Sequence, residues 1–242
     1  MIDVATAATD ADRRERSRSQ GTLTSANDSP ETIGAAWPIF LRHGSPRILL
    51  TAAAASLAAR VVIGDWSAWD LVPLLAIAAL WPVQEWLIHV YILHFRPVQV
   101  FGRTIDFPVP KSHRRHHRDP WNYDILFIPI HSFLYTLPVL IGLWCAFAPS
   151  LALAFTGISV HLLLSLHYEW IHFLIHTRVQ PRTRFYQHLW RNHRLHHFKS
   201  EHYWYGVTRT EGDWLLGTAP EAKRVGTSTT CRELLGQAPR PA

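Results

Sequence analysis

Ten of the sixteen histidines in this chain fall into four short clusters. In chain order these are His89 and His94; His113, His116 and His117; His172 and His176; and His193, His196 and His197. The pattern runs pair, triplet, pair, triplet. Neutral imidazole is a borderline ligand suited to zinc, iron, copper and nickel. Ten imidazoles are too many for one ion, whereas about five each suits two adjacent metals, and a tetrahedral structural zinc site needs only four ligands. Any one cluster alone is compatible with ordinary surface or core histidines. Four in alternating order point to a dimetal centre, with the metals and no side-chain nucleophile carrying the chemistry.

Spacing suggests how the rings divide. His172 and His176 are four residues apart and share a helix face, which favours a common metal. His89 and His94 are five apart, about 140° on an ideal helix. They are expected to serve different metals, or else the helix unwinds between them. The adjacent histidines of each triplet diverge, so one triplet can reach both ions. The first and second histidines of each triplet are three apart and are expected on one face. Glu85 lies four residues before His89, and Glu169 three before His172. A carboxylate at membrane depth is costly and usually functional. Both glutamates are therefore read as acceptors for the free ring N–H of a ligand histidine. His131 and His161 lie within apolar runs and read as polar contacts between helices.

The elements that must position these rings are apolar spans. Hydrophobic residues make up 48% of the chain and charged residues only 17%, with eleven tryptophans, which suits a membrane protein better than a cytosolic enzyme. The spans run roughly from Ile48 to Ile63, Trp69 to Phe95, Phe127 to Ala148 and Ser150 to His176. A helix rises ~1.5 Å per residue against a hydrocarbon core ~30 Å thick, so His89, His94, His172 and His176 should all emerge at one membrane surface. The fold class is all-α integral membrane, about four transmembrane helices with a cytosolic histidine-rich cap holding the dimetal site. Residues 1–36 read as a disordered tail, 37–220 as the membrane-embedded domain and 221–242 as a polar tail.

Charge gives orientation. Arg96, Arg103, Lys111, Arg114, Arg115 and Arg118 lie between the second and third spans, and Arg178, Arg182, Arg184, Arg191, Arg194 and Lys199 follow the fourth. The opposite loops hold Asp65 and Asp70 and no Lys or Arg. The positive-inside rule places every histidine cluster on the cytoplasmic side. The net charge of +6 reads as this topology signal and not as a nucleic-acid footprint. Cys145 and Cys231 form no C-x-x-C pair, which excludes zinc-ribbon and iron–sulfur readings.

Taken together, Glu85 with His89 and His94, the His113 triplet, Glu169 with His172 and His176, and the His193 triplet resemble the fatty acid hydroxylase superfamily. These are membrane histidine-cluster di-iron enzymes, among them fatty acid 2-hydroxylases and sterol desaturases. Tyr205, Gly206, Val207 and Thr208, then Leu216, Gly217 and Thr218, also fit, so the resemblance covers roughly residues 75–220. The first and third pair spacings look closest to the fatty acid 2-hydroxylase branch. The resemblance implies two iron ions and an O2-dependent hydroxylation or desaturation of a lipid, most readily a fatty acyl chain. Zinc can replace iron in purified protein, because it ranks above iron at nitrogen sites. Eukaryotic 2-hydroxylases often carry an N-terminal cytochrome b5-like domain, for which this chain is expected to have no room. A separate electron donor of ferredoxin or cytochrome b5 type is therefore expected. The alternatives are a sterol or carotenoid hydroxylase or desaturase of the same chemistry, and a non-catalytic zinc-binding membrane protein.

Overall fold

The computed structural model describes residues 29–235. A short helix α1 (Ile33–Phe40) leads into α2 (Gly44–Ile63), and α3 (Leu71–Leu87) continues directly into a wider π-helical turn over Ile88–Leu93. A two-stranded antiparallel hairpin follows, β1 (Val98–Val100) paired with β2 (Arg103–Ile105). The chain then forms α4 (Pro108–Arg118), α5 (Phe133–Phe147), α6 (Leu151–Ile175), α7 (Arg184–Phe198) and the short α8 (Glu211–Leu215).

Among the described residues, four helical segments are long and apolar enough to cross a membrane: Gly44–Ile63, Ala68–Leu93, Tyr123–Phe147 and Leu151–Ile175. Helix α6 is the hub and packs against α2, α3 and α5. Leu49 and Ala53 of α2 meet Ile158 and Leu162 of α6 in one buried cluster, and the Ser56 and Ser159 hydroxyls bond across it at 2.8 Å. The outward faces stay apolar, with Val62 86% and Leu134 82% exposed. An aqueous globule would bury such residues, whereas hydrocarbon solvates them.

Local sequence sets the helix ends. The Ser150 hydroxyl accepts from the Leu153 N–H at 3.3 Å and opens α6; Thr183 does the same for α7 through the Tyr186 N–H at 3.2 Å. Pro108 starts α4, where its missing N–H costs nothing. Arg60, a charge inside the first span, is 1% exposed and bridges Asp70 at 2.7 Å. Its Nε also donates to the Thr156 hydroxyl at 2.8 Å, which ties α2, α3 and α6 together at the end remote from the histidines.

The ordered chain extends past both boundaries expected from composition. Helix α1 begins at Ile33, before residue 37, and buries Ala36 and Phe40 against Phe127 and Phe173. Beyond residue 220, the Ser228 N–H donates to the Lys199 carbonyl at 2.7 Å, and Cys231 and Leu234 are buried. A few anchoring side chains hold each segment although its average composition is polar. Residues 1–28 and 236–242, the remainder of the two expected tails, lie outside the described residues.

Candidate metal centre

All ten cluster histidines converge at one end of the helical bundle, in two groups of five. His89, His94, His113, His117 and His196 form one group; His116, His172, His176, His193 and His197 form the other. Within each group one nitrogen per ring lies within 4.8 Å of all the others. The groups adjoin, with the His117 and His197 rings stacked 4.0 Å apart.

The partition follows a cross-over. Each group takes the pair from one long helix, α3 or α6. It then takes the first and last histidines of one triplet, His113 with His117 on α4 or His193 with His197 on α7. The middle histidine of the other triplet completes it: His196 joins the α3 group and His116 the α6 group. One expectation is corrected here. The triplet histidines three apart, His113 with His116 and His193 with His196, do not share a group; those four apart do. His89 and His94 fall in one group, in keeping with the alternative that the helix unwinds between them. The π-helical turn intervenes, with the His94 N–H donating to the His89 carbonyl at 3.1 Å, so residues five apart stack on one face. The unwinding alternative was therefore the relevant one. The remaining expectations agree with the geometry, since His172 and His176 fall together and adjacent triplet members diverge.

Backbone carbonyls orient several rings. His89 Nδ1 lies 2.6 Å from the Tyr205 carbonyl, His196 Nδ1 2.8 Å from that of Tyr203, and His117 Nδ1 2.9 Å from that of Cys231. A carbonyl can only accept, so each Nδ1 carries the proton and each Nε2 presents a bare lone pair. Those lone pairs face neighbours: His89 Nε2 sits 3.2 Å from His113 Nε2, and His94 Nε2 3.2 Å from His196 Nε2. In the second group both nitrogens of His116 and of His197, with His172 Nε2, are buried without a hydrogen-bond partner. Buried acceptors that face one another without a donor are costly unless a cation lies between them. The donor set therefore suits a metal in each group.

Glu85 and Glu169 do not touch the ring nitrogens, which corrects the roles expected for them. Glu85 accepts the main-chain N–H of Thr208 at 2.8 Å, that of Val207, and the Thr208 hydroxyl. Glu169 accepts from the Ser45 hydroxyl at 2.7 Å and the Ile128 N–H at 2.8 Å, and so ties α2 and the segment before α5 to α6. For Glu85 the physical reason is that the Tyr205 carbonyl already occupies the outer ring nitrogen of His89. Composition gave no sign of Asp213, which is fully buried and accepts from the Tyr205 N–H at 2.9 Å, the Gly206 N–H at 2.7 Å and the Thr218 hydroxyl at 2.7 Å. Glu85 and Asp213 thus grip residues 205–208 from opposite sides and aim the Tyr205 carbonyl at His89. Gly206 is required there, because a Cβ would lie 2.0 Å from the Arg209 carbonyl oxygen.

Burial holds the imidazoles of His94, His113, His116, His117, His176, His193, His196 and His197 well below their ordinary 6.5, and the charge each would place on its neighbours adds to this. They are the neutral, ligand-competent form at physiological pH. The unfolded chain binds protons at these positions near 6.5 and the native state does not, so stability rises with pH across that range. Metal-free protein should therefore melt at progressively lower temperature as pH falls from 7 to 5 and vary little above 7.5. A flat melting profile across pH 5–7 contradicts this.

An apolar cavity of about 360 Å³ adjoins the centre, between α3, α5 and α6. His113 of one group and His172 of the other both line it, with Ile88, Leu137, Leu140 and Leu162 among its walls. Its size lies within the roughly 300–1,000 Å³ typical of small-molecule sites.

The fatty acid hydroxylase family model matches residues 74–218, three fifths of the chain and every histidine of the two groups. The protein belongs to the fatty acid hydroxylase family. Two curated relatives are dihydroceramide fatty acyl 2-hydroxylases of Arabidopsis thaliana, FAH2 at 25% identity over 59% of this chain and FAH1 at 24% over 64%. The chain spans 58% and 63% of their respective lengths. The structure of full-length Scs7p, in which only the hydroxylase domain is visible, matches with a TM-score of 0.62 at 20% identity, covering 76% of this chain and 68% of that one. That likeness concerns the fold: long apolar helices capped by the histidine-bearing segments. As a member of this family the protein carries four segments able to cross a membrane and two metal-competent histidine groups.

Proposed function

We propose that this protein uses O2 to hydroxylate a fatty acyl chain at a pair of iron ions held by the ten histidines, five to each ion. The observation that carries this reading is the cavity, an apolar slot among the long helices whose lining includes one histidine from each group. When bound, two irons supply the redox chemistry for oxidising an unactivated C–H bond. The chain's own residues do the rest. The cavity walls seat the alkyl segment, exclude water and bring one carbon beside His113 and His172. The carbonyls of Tyr203, Tyr205 and Cys231 hold ring protons outward so that the inner lone pairs stay available. The overall balance, R–H plus O2, two electrons and two protons to R–OH plus water, needs a reductant. We assign that role to a separate redox protein of ferredoxin or cytochrome b5 type. The names of the Arabidopsis relatives favour an acyl chain over a sterol or carotenoid.

Expression in a host of known lipid composition, with iron and a redox partner supplied, should yield acyl lipids 16 mass units heavier. Products 2 units lighter assign desaturation instead. Protein that binds zinc tightly and gives neither product with any donor supports the non-catalytic alternative.

We further propose that the centre faces the cytoplasm, on the strength of the Lys and Arg that flank it. In a cysteine-free background, Ser67→Cys and Lys223→Cys place single exposed thiols at opposite ends of the bundle. Only the thiol at 223 should react from the cytoplasmic side. Labelling of both from one side defeats the topology.

A further inference from the structure

The apolar wall of the cavity is interrupted by a built polar contact. Trp144 of α5 donates its indole N–H to His161 Nδ1 at 3.2 Å, and His161 Nε2 lies 3.2 Å from Gln84 Oε1 on α3. An indole nitrogen only donates, so His161 Nδ1 is the acceptor and the ring proton sits on Nε2. That N–H points at Gln84, which must present its carbonyl oxygen. The Gln84 amide NH2 is thereby turned the other way. Among the described residues it has no hydrogen-bond acceptor, and Gln84 lines the cavity.

The geometry around this contact is reserved for it. Gly157 lies one turn before His161, and a Cβ there would come within 2.5 Å of the Trp144 indole. Gln84 precedes His89 by five residues, roughly 7.5 Å of helix rise. The donor therefore lies on the cavity wall deeper in the bundle than the histidine centre. A polar group among hydrocarbon is expensive when unpaired, and polar residues within membrane helices are functional by default.

Building on the proposed lipid cavity, we propose that the Gln84 amide binds an acceptor oxygen, from a hydroxyl or carbonyl, on the buried part of the substrate lipid. The contact sets which carbon stands against His113 and His172. A plain alkyl segment leaves the amide unpaired; an oxygen at the right position satisfies it. Specificity built on a buried hydrogen bond is sharper than that of an apolar slot, because the wrong ligand strands a polar group.

The test is binding, not turnover. Full-length metal-loaded protein in nanodiscs is titrated with stearic acid and with a series of ketostearic acids carrying the ketone at carbons 5 to 12, by displacement of a fluorescent fatty acid. The charged carboxylate stays at the interface throughout the series, so differences report the ketone. Wild type should favour one ketone position, or two adjacent ones, about three- to tenfold over stearic acid. Gln84→Leu should flatten that profile and bind stearic acid at least as tightly; Gln84→Met serves if leucine does not pack. A flat wild-type profile, or a peak that survives both variants, overturns the Gln84 contact and leaves the lipid cavity standing. Failure of every fatty acid to bind wild type overturns the acyl-lipid reading itself, and this contact with it.

Discussion

His94→Ala, His117→Ala, His176→Ala and His197→Ala should each leave essentially no product. A two-electron oxidation shared between two ions fails when either loses its coordination. Metal content should fall from about two per chain toward one, because a lost ligand opens the coordination sphere. His43→Ala should retain most activity, since its ring packs against Phe127 away from both groups. The cross-over makes a sharper prediction. His113 and His196 belong to one group although they come from different triplets, so the variant lacking both should still hold about one metal per chain. His193 and His196 come from one triplet but different groups, so the variant lacking both should weaken both sites and fall below one. Metal analysis of the two double variants checks the assignment directly. Equal metal content in both, or one metal in the wild type, refutes the five-and-five arrangement.

Asp213→Asn should cost about 10–100-fold in metal retention or activity, the usual consequence of disturbing what orients a metal-ligating histidine. Asp213 Oδ1 takes the Tyr205 N–H and the Thr218 hydroxyl while Oδ2 takes the Gly206 N–H, so an amide nitrogen in either place sets donor against donor. The loop carrying the Tyr205 carbonyl would then shift from His89. Glu85→Gln should be milder. Its remaining carbonyl can keep both main-chain N–H groups, and the Thr208 hydroxyl can turn to accept from the new amide. The check is metal per chain and product yield for both variants at matched membrane expression. A Glu85→Gln loss larger than that of Asp213→Asn contradicts this account of the loop.

How much of this centre could be read from the chain divides by the range of the interaction. The ten histidines, their order and the four apolar spans were legible, because ligand chemistry and hydrocarbon thickness act on residue type and local length. So was the convergence of His172 with His176, since four residues make one helical turn. The grouping of His89 with His94 was not, because an ideal α-helix separates them and only the π-helical turn over Ile88–Leu93 realigns them. The exchange of His116 and His196 between groups was likewise invisible. It depends on how α4 and α7 lie against each other and against α3 and α6, and helical spacing carries no such information.

The carboxylates show the same limit. Glu85 and Glu169 were recognisable as significant from their depth and position. Their partners were not, because those come from residues far away in the chain, Val207 and Thr208 for Glu85 and Ser45 and Ile128 for Glu169. Asp213 becomes the anchor of the capping loop only when α8 docks on α3. The sequence by itself thus determined which side chains gather into a metal-competent cluster and that they lie at one end of the apolar helices. The tertiary structure alone decided which rings fall into one group and what aims them, because those depend on packing between segments that no local period encodes.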